Sequence, residues 1–150
     1  MGALAAALGS AMGLCAADRS DLLAAGLLHD AGAFSLSCRI DTMEFETRNA
    51  EHAETGFRLL RASPLLSRAA RIVRRHHTSW ADPSGREDPE TFLLSNVLNL
   101  ADRVDVLVRR DRDVLEQVSP TYERIKRLSG TAFAPDAVWG FLSLARREDF

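Results

Sequence analysis

The sequence predicts an all-α protein, a single helical bundle of about seven helices. Apolar residues recur at three- and four-residue spacing almost throughout, and no stretch alternates with period two for long enough to make a strand. Helix starts are also marked, because Ser63-Pro64, Asp88-Pro89 and Ser119-Pro120 each place an N-cap residue before a proline at the first helical position.

The Ala- and Leu-rich opening predicts a buried first helix over 3–16. It lacks a basic segment and is too short to span a bilayer, so a buried helix is expected here rather than a signal peptide. A second helix is expected over 20–31, where Leu22, Ala25, Gly26 and His29 share one inward face. Gly26 leaves room there for a neighbouring helix, and Gly32 ends the element. After a loop from Ala33 to Arg48, a third helix over 49–61 carries His52. The fourth, over 64–78, sets Ala69, Ile72 and Val73 one turn before His76 and His77. These two rings then lie at its C-terminal end on the inward side.

Asp82-Pro83-Ser84-Gly85 marks a turn in the next loop, Trp80 to Glu87. A fifth helix over 89–110 follows, with Leu93, Val97, Leu100, Ala101, Val104 and Leu107 as its core stripe and Asp102 at the border. The sixth is expected over 120–128, closed by Gly130, and the seventh over 135–147.

At 150 residues and 46% apolar composition the chain can bury a core without disulfides or structural metal, so a metal here would serve chemistry rather than folding. A net charge of -2 argues against steering toward duplex nucleic acid or an anionic membrane. Cys15 and Cys38 have no CxxC spacing and read as small apolar fillers in a protein of the reducing cytoplasm. The eighteen arginines against one lysine, Lys126, carry no functional signal by themselves.

The chemical signal lies in the histidines. All four fall at His29, beside Asp30, at His52, and at the pair His76-His77, each in or at the edge of an apolar helical stripe, with Asp102 in another such stripe. Each has an ordinary explanation: a hydrogen-bonded core histidine, a helix-end charge, an ion pair between Asp102 and Arg103. Taken together they point to a polynuclear metal site inside the bundle. Neutral imidazoles with carboxylates suit manganese or iron, and also zinc or nickel.

The segments LLHDAG from Leu27, HAETGFRLL from His52, AARIVRRHHTSW from Ala69, LNLADRVDVL from Leu98 and SGTAFAPDAV from Ser129 resemble, in order and spacing, the HD superfamily of metal-dependent phosphohydrolases. They are most similar to its HD-GYP branch of cyclic di-GMP phosphodiesterases. The resemblance implies that His29, Asp30, His52, His76, His77 and Asp102 ligate a pair of divalent ions. Asp30 would bridge them, with the His29-Asp30 doublet at the catalytic centre and a bridging hydroxide attacking a phosphodiester. Arg74, Arg75 and Arg103 are the candidate phosphate contacts. The implied partners are a nucleotide or other phosphodiester, and sensory or response-regulator domains or a second copy of the chain.

Three positions depart from that pattern. Ala33 stands where the family has a lysine after the doublet, and the chain reads TSWADPSGRED after His76-His77, with no Gly-Tyr-Pro. The resemblance implies a further ligand at the start of the first helix, which opens here as MGALAAALGSAMGL without it. Either that ligand lies upstream of Met1 or the first metal site is one ligand short, and residues 1–150 are expected to be one domain shortened at its N-terminus. Two functions stay open on these residues: a phosphodiesterase acting on a cyclic dinucleotide or related nucleotide, and a signalling module that binds a nucleotide or a partner domain without turnover.

Overall fold

A computed structural model describes residues 1–33, 51–84, 88–108, 111 and 113–144. Most of the loop from Ala33 to Arg48, Cys38, and the expected helical residues 49–50, 109–110 and 145–147 lie outside the described residues. The described elements are α1 (Gly2–Ala11), α2 (Ala16–Leu28), α3 (Glu51–Leu60), a 3-10 turn (Pro64–Leu66), α4 (Ser67–Arg74), α5 (Pro89–Leu107), α6 (Val114–Arg127) and α7 (Pro135–Leu144). The all-α class expected from the periodicity is observed.

Helix α5 is the axis of the bundle. Its residues from Leu94 to Ala101 are all buried, so it is enclosed all round rather than striped on one side. Helices α1, α2, α4 and α7 pack around it, with α3 against α4 and α6 against α7. Asp88 caps α5 as expected, its carboxylate accepting from the Thr91 amide at 3.3 Å.

Two close crossings bring the site together. A Cβ on Gly26 would lie 2.5 Å from the Cα of Gly2, so α1 and α2 meet backbone to backbone as the sequence suggested. A Cβ on Gly32 would lie 2.1 Å from the carbonyl oxygen of His52 and 2.5 Å from the amide nitrogen of Gly56.

 Gly32 was expected to end the second helix just after Asp30. Instead α2 already ends at Leu28 with His29 as its cap, and the positive-φ glycines among the described residues are Gly13 and Gly130. Gly32 is needed for the close approach of α2 to α3.

Several boundaries differ from expectation. The fourth helix stops at Arg74 rather than 78: Arg75 leaves the helical region (φ -114°, ψ 10°), and the amides of His76 and Thr78 turn back to the carbonyls of Val73 and Arg75. Ser63 precedes Pro64 as predicted but makes no side-chain cap, and the proline opens a 3-10 turn. Helix α6 begins at Val114, not 120, and holds Pro120 in its interior. Pro120 and Glu116 are both exposed, so water can serve the carbonyl that the proline leaves without a donor. Cys15 is exposed, not a core filler. It caps α2, with Sγ donating to the Asp18 carboxylate at 3.0 Å and accepting from the Asp18 amide at 3.5 Å.

Candidate metal centre

The turn that ends α4 is what draws the paired histidines together. Consecutive side chains on a helix diverge by about 100°, yet the rings of His76 and His77 lie 3.9 Å apart between centroids. From α3, His52 comes within 5.5 Å of His76 and 4.8 Å of His77; from the end of α2, His29 reaches within 5.7 Å of His76. All four imidazoles therefore form one contiguous cluster. Ligand atoms of His52, His76 and His77 lie within 4.8 Å of one another. His29 Nε2 stands 3.1 Å from Asp30 and 3.6 Å from Asp102, so all six residues singled out in the sequence converge.

Backbone carbonyls decide which nitrogen each ring offers. A carbonyl only accepts, so the contacts from His29 Nδ1 to Gly26 (3.0 Å) and from His76 Nδ1 to Val73 (2.6 Å) place a proton on each Nδ1 and turn Nε2 inward. His76 Nε2 is fully buried and has no hydrogen-bond partner. An orphaned polar atom at this depth costs about 1–3 kcal/mol, which an electrophilic guest would offset.

The charges follow from burial and neighbours. Burial holds the pKa of His76 well below its ordinary value, and the neighbouring His77, which would repel a second proton, adds to the effect. Burial, then His52 and Arg103, holds His77 down to about 4. Burial also opposes a charge on His29, but the hydrogen bond to Asp30 and the charges of Asp30 and Asp102 outweigh it and raise its pKa. The same hydrogen bond lowers Asp30, whereas burial raises Asp102. The cluster is thus closed at His76 and opens at Asp30, whose side chain is 52% exposed.

This donor set fits divalent metal. Two imidazoles have their outer nitrogens fixed by carbonyls, His76 presents an unpartnered lone pair, and the proton favoured on His29 sits between two carboxylates where a cation can replace it.

The three candidate phosphate contacts separate. Arg74 donates to Glu54 at 2.7 Å and lies over the Phe57 ring, and Arg75 donates to the Ser84 carbonyl at 2.7 Å. Arg103 is half-buried, and its charge is felt by both His77 and Asp102.

Two buried amides escaped the sequence reading. Asn99 donates to the carbonyl of Thr78 at 3.5 Å, next to His77, and Asn96 bonds the turn before α7. Their signal was present: polar SNVLN inside an otherwise apolar helix. Arg68, one of many arginines, joins Asp18 (2.6 Å), Asp21 (2.8 Å) and Glu90, tying α2, α4 and α5 together on the far side of α4's sequence from the histidines.

The family model that matches this chain is that of the HD domain, over residues 1–107. No curated protein matches it.

Proposed function

The chain belongs to the HD domain family, and from that membership we propose that it is a metal-dependent phosphohydrolase acting on a small phosphoester. The observation that carries this reading is the buried Nε2 of His76, unpartnered within a cluster of four imidazoles and two carboxylates. His29, Asp30, His52, His76, His77 and Asp102 would hold divalent ions, manganese or iron, or zinc or nickel. Such ions supply Lewis acidity toward a phosphoryl oxygen and make a bound water acidic near neutral pH.

The chain's own residues do the positioning. Gly26 and Val73 carbonyls fix the tautomers of His29 and His76, and the low pKa of His77 keeps its ring neutral and ready to ligate. Asp30, at the open side, marks the substrate's approach. Arg103 supplies positive charge beside His77, and Arg74 and Arg75 would have to leave Glu54 and Ser84 to contact phosphate. A cyclic dinucleotide such as cyclic di-GMP is the proposed substrate, supported by the order of the ligand segments and not by a Gly-Tyr-Pro loop.

Metal-loaded chain should hydrolyse bis-p-nitrophenyl phosphate or a cyclic dinucleotide faster than a His76→Ala control; equal rates would refute catalysis. A second reading, binding without turnover, is favoured by Ala33. This residue is buried, its amide turned back to the Asp30 carbonyl at 2.9 Å, and it brings no cation to the doublet. Saturable nucleotide binding by metal-loaded chain with no product would establish it.

A further inference from the structure

The loop that carries the paired histidines is fastened to a part of the chain beyond the family match. The amide of Trp80 donates to the carbonyl of Ala132 at 3.0 Å, and that of Ala81 to Thr131 at 2.9 Å. The turn 128–134 that receives them is itself built tightly. Gly130 takes a positive φ of 76° and donates to the Phe133 carbonyl at 2.8 Å, while the amides of Ala132 and Phe133 return to Leu128.

One side chain joins this turn to the axis of the bundle. Asn96, fully buried on α5, donates through Nδ2 to the Ala132 carbonyl at 2.9 Å and accepts at Oδ1 from the Ala134 amide at 2.6 Å. The Ala132 carbonyl thus receives both Asn96 and Trp80. One turn along α5, Asn99 donates to Thr78, and Trp80 stacks on Phe92 of the same helix, 5.4 Å between centroids and 12° between planes. Asn96, Asn99 and Phe92 therefore bracket residues 78–81, directly after His77.

We infer that Asn96 is a positioning residue for the metal centre: through the 128–134 turn it holds the loop that sets His77 against His52. This rests on the reading of His52, His76 and His77 as metal ligands. A buried amide bonded at both ends is costly to remove, since deleting it strands a carbonyl and an amide, and groups that hold ligands from outside tune affinity by about 10–100-fold. The role extends the working unit past residue 107, where the family match ends. By reciprocity, whatever the turn contributes to metal affinity, bound metal must return as added stability of the turn.

The test uses the full chain and zinc, a diamagnetic probe. Amide exchange is read with and without the ion, and zinc affinity is measured by competition with a chelating dye for the wild type, Asn96→Leu, and Val138→Ala, a core truncation on α7. The expected result is exchange slowed about tenfold or more at Trp80, Ala81 and Ala134 on zinc loading. Affinity should fall about 10–100-fold in Asn96→Leu and stay near wild type in Val138→Ala. No zinc binding by the wild type would overturn the ligand reading itself. Zinc binding that leaves exchange at Ala134 and affinity in Asn96→Leu unchanged, or weakens equally in Val138→Ala, would overturn the positioning role alone. Should Asn96→Leu fail to fold, exchange in the wild type decides.

Discussion

His52 and His77 turn their Nε2 atoms toward each other across 2.9 Å. Two imidazole nitrogens that close share one proton or face a common cation, because two lone pairs alone repel and two protons clash. His52 comes from α3 and His77 from the turn after α4, so the packing of those elements sets this distance.

The first prediction concerns acid. His77 has an ordinary pKa of 6.5 when unfolded and about 4 when folded, and His76 is lowered well below its ordinary value. The unfolded chain then binds more protons below pH 6.5, so stability falls as pH drops from there toward 4. His77 alone accounts for about 3 kcal/mol across that window. His29 has the opposite sign: its raised pKa gives stability fully present below 6.5 and lost as pH rises through the folded value. Urea unfolding with chelator at about pH 7 and pH 4.5 should show the loss; equal midpoints would contradict it.

A second prediction separates stability from binding at His76. In metal-free protein its Nε2 is an orphan, so His76→Leu should leave stability within about 1 kcal/mol of wild type or raise it, while zinc affinity falls sharply. A metal-free loss above about 3 kcal/mol would show that the ring is held for packing.

Glycine positions give a third. At Gly32 a methyl meets the backbone of His52 and Gly56, which cannot swing aside as a side chain can, whereas at Gly13 nothing lies within 4 Å and only the positive φ of 74° resists. Gly32→Ala should cost about 2–4 kcal/mol and reduce metal content by parting His29 from His52. Gly13→Ala should cost about 1 kcal/mol and leave metal content intact. Similar effects from both would contradict the close-approach account.

The convergence of the six candidate ligands was legible because inward periodicity reports which side of a helix faces the core. His29 follows Leu22 and Ala25 by helical spacing, and those two are fully buried. What ends an element was harder to read. His76 and His77 sit in three-residue turns that periodicity cannot distinguish from another turn of helix, and Pro120 looked like a helix start although α6 carries it within an exposed turn. For Asn96 the polar SNVLN run was visible but its role was not: its partners lie 36 and 38 residues further on, and only packing brings them together.

The account's central claim is that the histidine cluster is a metal centre, and elemental analysis of chain purified without chelator tests it most directly, beside a His76→Ala, His77→Ala double variant. About two ions per chain, falling to one or none in the variant, is the predicted result. No bound metal in either form, even after anaerobic loading with iron or manganese, would contradict it.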